Sequence, residues 1–482
     1  MATSTAAYEN PLVSRYASAE MTRAWSAQVK FSTWRRLWLC LAETQRELGI
    51  DQVTAQALDE MRQTLDDVNF DVAAEIERNV RHDVMAHVKA WGLQCPTAVK
   101  IIHLGCTSCF VTDNADLIQM RNALVLVRRK VVRLLDVMGR QARTHRALPT
   151  LGYTHLQPAQ LTTVGKRICM WMQDFLIDLH DLSRMIDELP FRGVKGTTGT
   201  QASFLALFSG DHAKVVELDR RVSDKMGFAR VLPITGQTYT RKLDFRVLAV
   251  LSSIAQSAHK FATDIRLLAS TKEIEEPFES QQIGSSAMAY KRNPMRCERI
   301  CSIARYVTSL LSNATNTACT QWLERTLDDS ANRRICIPEA FLGVDAILDV
   351  ARNVFSGLQV WPLVIEKHVN AELPFMATEN ILMACVQAGG DRQAVHEAIR
   401  EHSMAAGCAV KQSGADNDLL ERIANDPIFA PVASSLSTIV DPRAFIGRAP
   451  EQVDEFLRGH VQPVLDCYTD DLRSAQDVQL RV

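Results

Sequence analysis

Residues 247–268 read VLAVLSSIAQSAHKFATDIRLL, with Val247, Leu251, Ile254, Ala258, Phe261, Ile265 and Leu268 falling at steps of three and four. That spacing puts them on one face of an α-helix, whereas a half-buried strand would need strict alternation. Ile300, Ile303, Ala304, Val307, Leu310 and Leu311 repeat the pattern. So do Phe341, Val344, Ile347, Leu348, Ala351, Val354, Phe355 and Leu358, in a stripe ended by Pro362. From Leu117 to Met138 apolar residues cover more than one face, as expected of a helix buried within a bundle or between subunits. A 20-residue helix is about 30 Å long, so these stretches predict an all-α, elongated bundle instead of a globin-like pack. Strand patterns are nearly absent, with a short hairpin expected in Arg192 to Gln201.

A chain of 482 residues is too long for one core. Boundaries are expected near residue 107, before the long central helices, and near 360, where Trp361-Pro362 breaks the third stripe. This gives an N-terminal helical domain (1–107), a central long-helix bundle (108–360) and a C-terminal helical domain (361–482). Apolar residues at 47% and charged residues at 23% are ordinary for a soluble globular protein. A formal net charge of −2 gives no global field favouring nucleic acid or an acidic membrane. The opening MATSTAAYEN lacks the basic and apolar regions of a secretory signal, and no charge-free apolar run is long enough to span a bilayer. The expected location is cytoplasmic.

The 12 cysteines are scattered and read as reduced thiols. Cys106 and Cys109 form a lone C-x-x-C without a second pair, and His82 and His87 lie outside any H-E-x-x-H arrangement, so no metal is expected.

Polar chemistry gathers at the breaks between stripes. Residues 284–294 read GSSAMAYKRNP, a glycine and two hydroxyls followed by a lysine, an arginine, an amide and a proline. Such a segment can carry a proton acceptor and an anion clamp on one loop, although its composition alone also suits a solvated surface turn. The run Gly193 to Gly199 superficially suggests a phosphate loop but lacks the G-x-x-x-x-G-K-[ST] spacing and a preceding strand. Five other segments are rich in polar groups: Ser14-Arg15-Tyr16, Arg81-His82-Asp83, Thr107-Ser108, Thr154 to Gln160, and Trp322 to Arg334. Singly, each has a structural explanation. Thr154 can cap a helix, His155 can be a satisfied structural histidine, and Arg325, Asp328, Asp329, Arg333 and Arg334 can form a solvated ion-pair face.

Together they carry a resemblance. Gly284 to Pro294 resembles the G-S-S-x-M-x-x-K-x-N-P signature of the fumarase/aspartase superfamily. Lys291-Arg292-Asn293-Pro294-Met295-Arg296 and Glu324 to Ser330 resemble its adenylosuccinate lyase branch, over nearly the whole chain. Arg81 to His87 and Glu372 to Asn380 look like the animal-type enzyme. Ala289 departs from the family, which usually has proline there. Losing that φ restriction leaves the open loop more flexible without removing a chemical group.

The resemblance implies a three-domain helical subunit, a homotetramer with a central helical core, and active sites each shared between three subunits. It implies β-elimination of fumarate from adenylosuccinate and from SAICAR, an earlier purine intermediate. Ser285 matches the family base, His155 the acid, Lys291 a charge stabiliser, and His82 a helper near the phosphate or the acid. Thr107, Ser108, Gln237 and Asn293 match carboxylate contacts. Arg15, Tyr16, Arg299, Arg325, Ser330 and Arg334 match nucleotide and phosphate contacts, and Arg81 and Asp83 flank His82 in the same motif. No cofactor is needed, because the chemistry is proton transfer without net redox change. A related lyase or cycloisomerase would share Ser285 and Lys291 but need no phosphate site. A catalytically silent structural protein of the superfamily is the remaining alternative.

Overall fold

A computed structural model describes residues 7–279, 281–473 and 480. The stripes become long helices. In chain order the elements that position the site are α1 (Ala27–Glu47), α2 (Asp83–Gln94), α3 (Cys109–Thr144), the strands β1 (Pro149–Thr154) and β2 (Gln157–Thr163), α4 (Val164–Glu188), α5 (Lys242–Ser270), β3 (Ile274–Glu275), α6 (Met295–Cys319), α7 (Asp328–Ser356), β4 (Gln359–Val360) and α8 (Pro362–Met376).

Side-chain contacts fix their directions. Asp178 of α4 accepts from Ser253 and Ser257 of α5, and Glu188 meets Arg246, so α4 and α5 run antiparallel. Cys301 meets Thr263, and Asn332 donates to Asn313, so α5, α6 and α7 alternate. Arg333 pairs with Asp116 while Gln141 donates to the Phe355 carbonyl, so α3 and α7 are parallel. Helices α3, α5 and α7 therefore all begin at one end of the bundle. The 29 residues of α5 rise about 43 Å before the chain turns.

Burial follows the stripes: Val247, Leu251, Ile254, Ala258, Phe261 and Ile265 are fully buried. Truncating Phe261 to alanine would cost about 3–5 kcal/mol. Leu117, Met120, Leu124, Val127, Val131, Leu134, Leu135 and Met138 are also fully buried, so α3 is enclosed within one subunit's own bundle. Helix boundaries follow local chemistry. Ser26 and Thr163 accept from the third residue beyond them as N-caps of α1 and α4, and Pro362 opens α8 at a position where its missing N–H costs nothing.

The hairpin lies elsewhere than expected. Residues 192–201 form an irregular loop in which Gly193, Gly196 and Gly199 all take positive φ, breaking the extended run a strand needs. The hairpin is β1–β2, an antiparallel pair joined at Thr154 and Gln157 by a two-residue turn. One apolar core runs from Leu12 to Leu373 and takes in Ile446 to Leu465, while a second cluster joins Ala377 to Leu436. Among the described residues no helix is long and apolar enough to cross a membrane.

Candidate active site

Where α3, α5 and α7 begin, a cavity of about 720 Å³ opens, lined by Lys30, Arg81, His82, Asp83, Ser108, Asp113, Asp116, Arg241, Arg325, Ser330, Arg333 and Arg334 among others. Three helix N-termini pointing at one space favour negative charge there.

Beneath the cavity is a buried ion network. Arg241 donates to Asp329 at 2.6 Å and to both oxygens of Asp113 at 3.1 and 3.2 Å. Arg333 donates to Asp244 at 2.6 Å and to the Tyr239 hydroxyl at 2.5 Å, and pairs with Asp116 at 3.0 Å. Burial pushes the Asp113 carboxyl up, but Arg241, Arg333 and Arg192 outweigh it and hold it below the usual range. Asp116 goes the other way, raised by burial that Arg333 and Lys30 only partly offset. Asp329 and Arg333 are therefore interior, not part of a solvated face. Arg334 stays exposed and meets Asp83 at 2.9 Å, tying α7 to α2.

The Arg81-His82-Asp83 turn has a local cause. Arg81 ends the preceding helix, Phe70–Val80, in the left-handed conformation (φ 53°). His82 then caps α2, its Nδ1 accepting from the Met85 N–H at 3.3 Å. In the neutral ring this leaves Nε2 as the donor. Arg325 donates to the Gln237 amide oxygen and, at 2.8 Å, to the Cys109 sulfur. Burial pushes the Cys109 thiol up to about 11, keeping it a neutral acceptor. Gln237 also donates to the Thr197 carbonyl at 3.1 Å, so its amide is engaged in holding Arg325. Thr107 sits at the head of α3, its carbonyl accepting from Phe110 at 2.9 Å, outside the cavity lining.

The other predicted residues lie at the far end. His155 and Leu156 form the β1–β2 turn with φ of 55° and 56°. Two successive positive φ values are the type I′ geometry that normally selects asparagine and glycine. Placing histidine and leucine there costs roughly 1–2 kcal/mol per residue. Strain of this kind commonly marks a functional side chain. His155 is exposed and makes no hydrogen bond or ion pair among the described residues. Arg167 of α4 donates to the Leu151 carbonyl at 2.6 Å, so the hairpin root is anchored while its tip projects.

The 284–294 loop is also anchored at its roots. Glu276 accepts from the Arg296 and Cys297 N–H groups at 2.9 and 3.0 Å, and β3 pairs with β4. Asn293 donates to the Gly284 carbonyl at 2.8 Å. Gly284 is required there, since a Cβ would run into the Lys291 carbonyl. Within the loop the Ser285 hydroxyl oxygen accepts from the Ala287 and Met288 N–H groups at 3.3 and 3.1 Å. Donors aimed at that oxygen stabilise negative charge on it. Lys291 is exposed. At the root of α6 the Arg299 guanidinium lies 5.6 Å from the Tyr16 ring centre, with Arg15 close enough to lower the Arg299 pKa, whose main cause is burial.

The structure thus gathers Arg81, His82, Asp83, Ser108, Arg325, Ser330 and Arg334 at one end, with Gln237 behind Arg325. It gathers Ser285, Lys291, Asn293, Arg299, Tyr16 and Arg15 at the other, with His155 on its hairpin. A single subunit does not bring the two groups together. Lys30, Asp113, Asp116 and Arg241 were missed in the sequence, and Arg333 was read there only as part of a solvated face. The polar run Gly236 to Arg241 heading an apolar stripe is the signal that points to Arg241.

The Lyase family profile matches residues 19–309, and the adenylosuccinate lyase C-terminus profile matches residues 374–456. The adenylosuccinate lyase of Schizosaccharomyces pombe is 55% identical, covering 95% of each chain. That of Schistosoma mansoni is 51% identical, covering 96% of this chain and 97% of its own. Among solved structures, a 3-carboxy-cis,cis-muconate lactonizing enzyme from Pseudomonas putida superposes with a TM-score of 0.80 at 20% identity, over 94% of this chain and 99% of its own, and so shows the fold alone. With that identity sustained from end to end, the chain belongs to the adenylosuccinate lyase family.

Proposed function

We propose that the protein eliminates fumarate from adenylosuccinate, giving AMP, and from SAICAR, giving AICAR. The observation that carries the chemistry is the Ser285 hydroxyl oxygen under two backbone N–H donors, on a loop that also holds Lys291. Serine is a poor base at its ordinary pKa, so its alkoxide must be stabilised. Those N–H groups and the Lys291 ammonium supply that stabilisation, strengthened when loop closure excludes water. Ser285 takes the proton from the carbon beside a carboxylate. The released electron pair becomes the double bond of fumarate as the carbon–nitrogen bond breaks, and His155 protonates the departing nitrogen. Each positioned proton-transfer group is worth about 10²–10⁴-fold.

Charge gathers on a carboxylate that is already anionic. Lys291, Asn293, Thr107 and Ser108 bind and stabilise it, with Gln237 in this group. Arg15, Tyr16, Arg299, Arg325, Ser330 and Arg334 grip the nucleotide and its phosphate, arginine's donor fork suiting that anion. His82, between Arg81 and Asp83, assists beside the phosphate or the acid.

We assign the active form as a homotetramer with sites built from three subunits. Its support is the separation of the two groups by the length of α5, together with the unburied Leu156, Ile283 and Tyr290 at the hairpin and loop. The three-domain division at 107 and 360 and a cytoplasmic location belong to the same proposal. Purified protein given adenylosuccinate should release AMP and fumarate without added metal, followed by nucleotide absorbance. No turnover at high enzyme concentration would overturn the assignment.

A further inference from the structure

Most cations lining the cavity already have partners. Arg241 has Asp113 and Asp329, Arg333 has Asp116 and Asp244, Arg334 has Asp83, and Arg325 has Gln237. Lys30 lines the same cavity from α1 and is half-buried, and its ammonium makes no hydrogen bond or ion pair among the described residues. Its ammonium stands 5.5 Å from the Phe31 ring centre and 5.4 Å from that of Trp34, so one flank is aromatic. The charges it feels are those of Asp116, Arg334, Asp83 and Arg333, and burial is the main cause that lowers its pKa. An ammonium withdrawn from water without an acceptor is unfavourable. In a cleft lined by binding groups, such a cation marks a place where a ligand supplies the acceptor.

We propose that Lys30 is a further substrate-binding residue, its ammonium donating to an anionic oxygen of the nucleotide beside Arg334. This rests on the lyase function proposed above. A lysine suits the position: its compact head can turn toward one oxygen without the planar fit that arginine demands. The oxygen belongs to the phosphate or to a succinyl carboxylate, which share this chemistry and can be separated by product inhibition.

The test uses purified full-length protein with Lys30→Met and Lys30→Arg, measuring KM and kcat for adenylosuccinate and inhibition by AMP, adenosine and fumarate. Losing one charge-assisted hydrogen bond should raise KM by about 10-fold or more, with kcat changed only a few-fold. Lys30→Arg should recover part of the loss, which a merely structural role would not require. If the phosphate is bound, the AMP inhibition constant rises by a similar factor and that of adenosine does not. If a carboxylate is bound, the fumarate constant rises instead. Unchanged constants for both AMP and fumarate, in a variant melting like the wild type, would overturn the inference. Should methionine lower the melting temperature, Lys30→Gln is the parallel neutral variant for the same readouts. Absence of turnover in the wild type would overturn the lyase function instead, and calorimetric AMP binding would still test Lys30.

Discussion

At the end where α3, α5 and α7 begin, Arg241 and Arg333 are buried and each bridges two carboxylates. At the end where they finish, His155 stands exposed on a strained turn and Ser285 on a loop held mainly at its roots. The first is a rigid platform of buried ion pairs beneath the cavity, and in the proposed mechanism it holds the anion-binding groups in place. The second carries the proposed proton-transfer groups, with unburied apolar side chains around them. Binding groups gain from rigidity because less freedom is lost on capture. In the proposed tetramer the reacting groups meet a site on another chain, and for that they have to project.

At the projecting end the cost of substitution falls on turnover. Ser285→Ala and His155→Ala should each lower kcat by about 10²–10⁴-fold while the melting temperature stays near wild type, since neither side chain is buried. At the fixed end the balance reverses. Arg333→Met strands Asp116 and Asp244, and urea unfolding should show a loss of about 3–5 kcal/mol.

A pH titration sharpens the same contrast. His87 on α2 stacks on Phe31 with ring centres 3.8 Å apart, and burial first, then Arg35, lower its pKa to about 4. Folding therefore holds the ring neutral. Its contribution is complete above the unfolded value of about 6.5 and is lost as pH falls through about 4. His87→Gln should remove about 3 kcal/mol of that acid sensitivity, read by unfolding midpoints between those pH values. The smallest effect is Leu156→Gly. Relief of the left-handed strain, less the extra freedom of glycine when unfolded, should add about 0.5–1 kcal/mol of stability. Turnover should fall a few-fold as the aim of His155 loosens.

The helical bundle was legible in the sequence because its stripes are long and regular. Residues 284–294 were legible because glycine, hydroxyls and cations stand together in a short run. The β1–β2 hairpin was not, since His155-Leu156 lacks the asparagine–glycine chemistry that announces a type I′ turn, and Pro158 argues against a strand. The glycines of 193–199 drew the hairpin expectation to the wrong loop. Asp329 and Arg333 read as a solvated face, because their partners Arg241, Asp113 and Asp244 are distant in sequence. Lys30 gave no sign at all: its place in the cavity depends on how α1 packs against α3.

In the proposed tetramer, with each site built from three subunits, the acid His155 and the base Ser285 at one site come from different copies of the chain. Inactive His155→Ala and Ser285→Ala proteins should be mixed in equal parts, dissociated, reassembled and assayed on adenylosuccinate. Random assembly leaves both residues intact at one site in four, so activity should return to about 25% of wild type. Persistent inactivity in hybrids verified by mass would contradict the shared site.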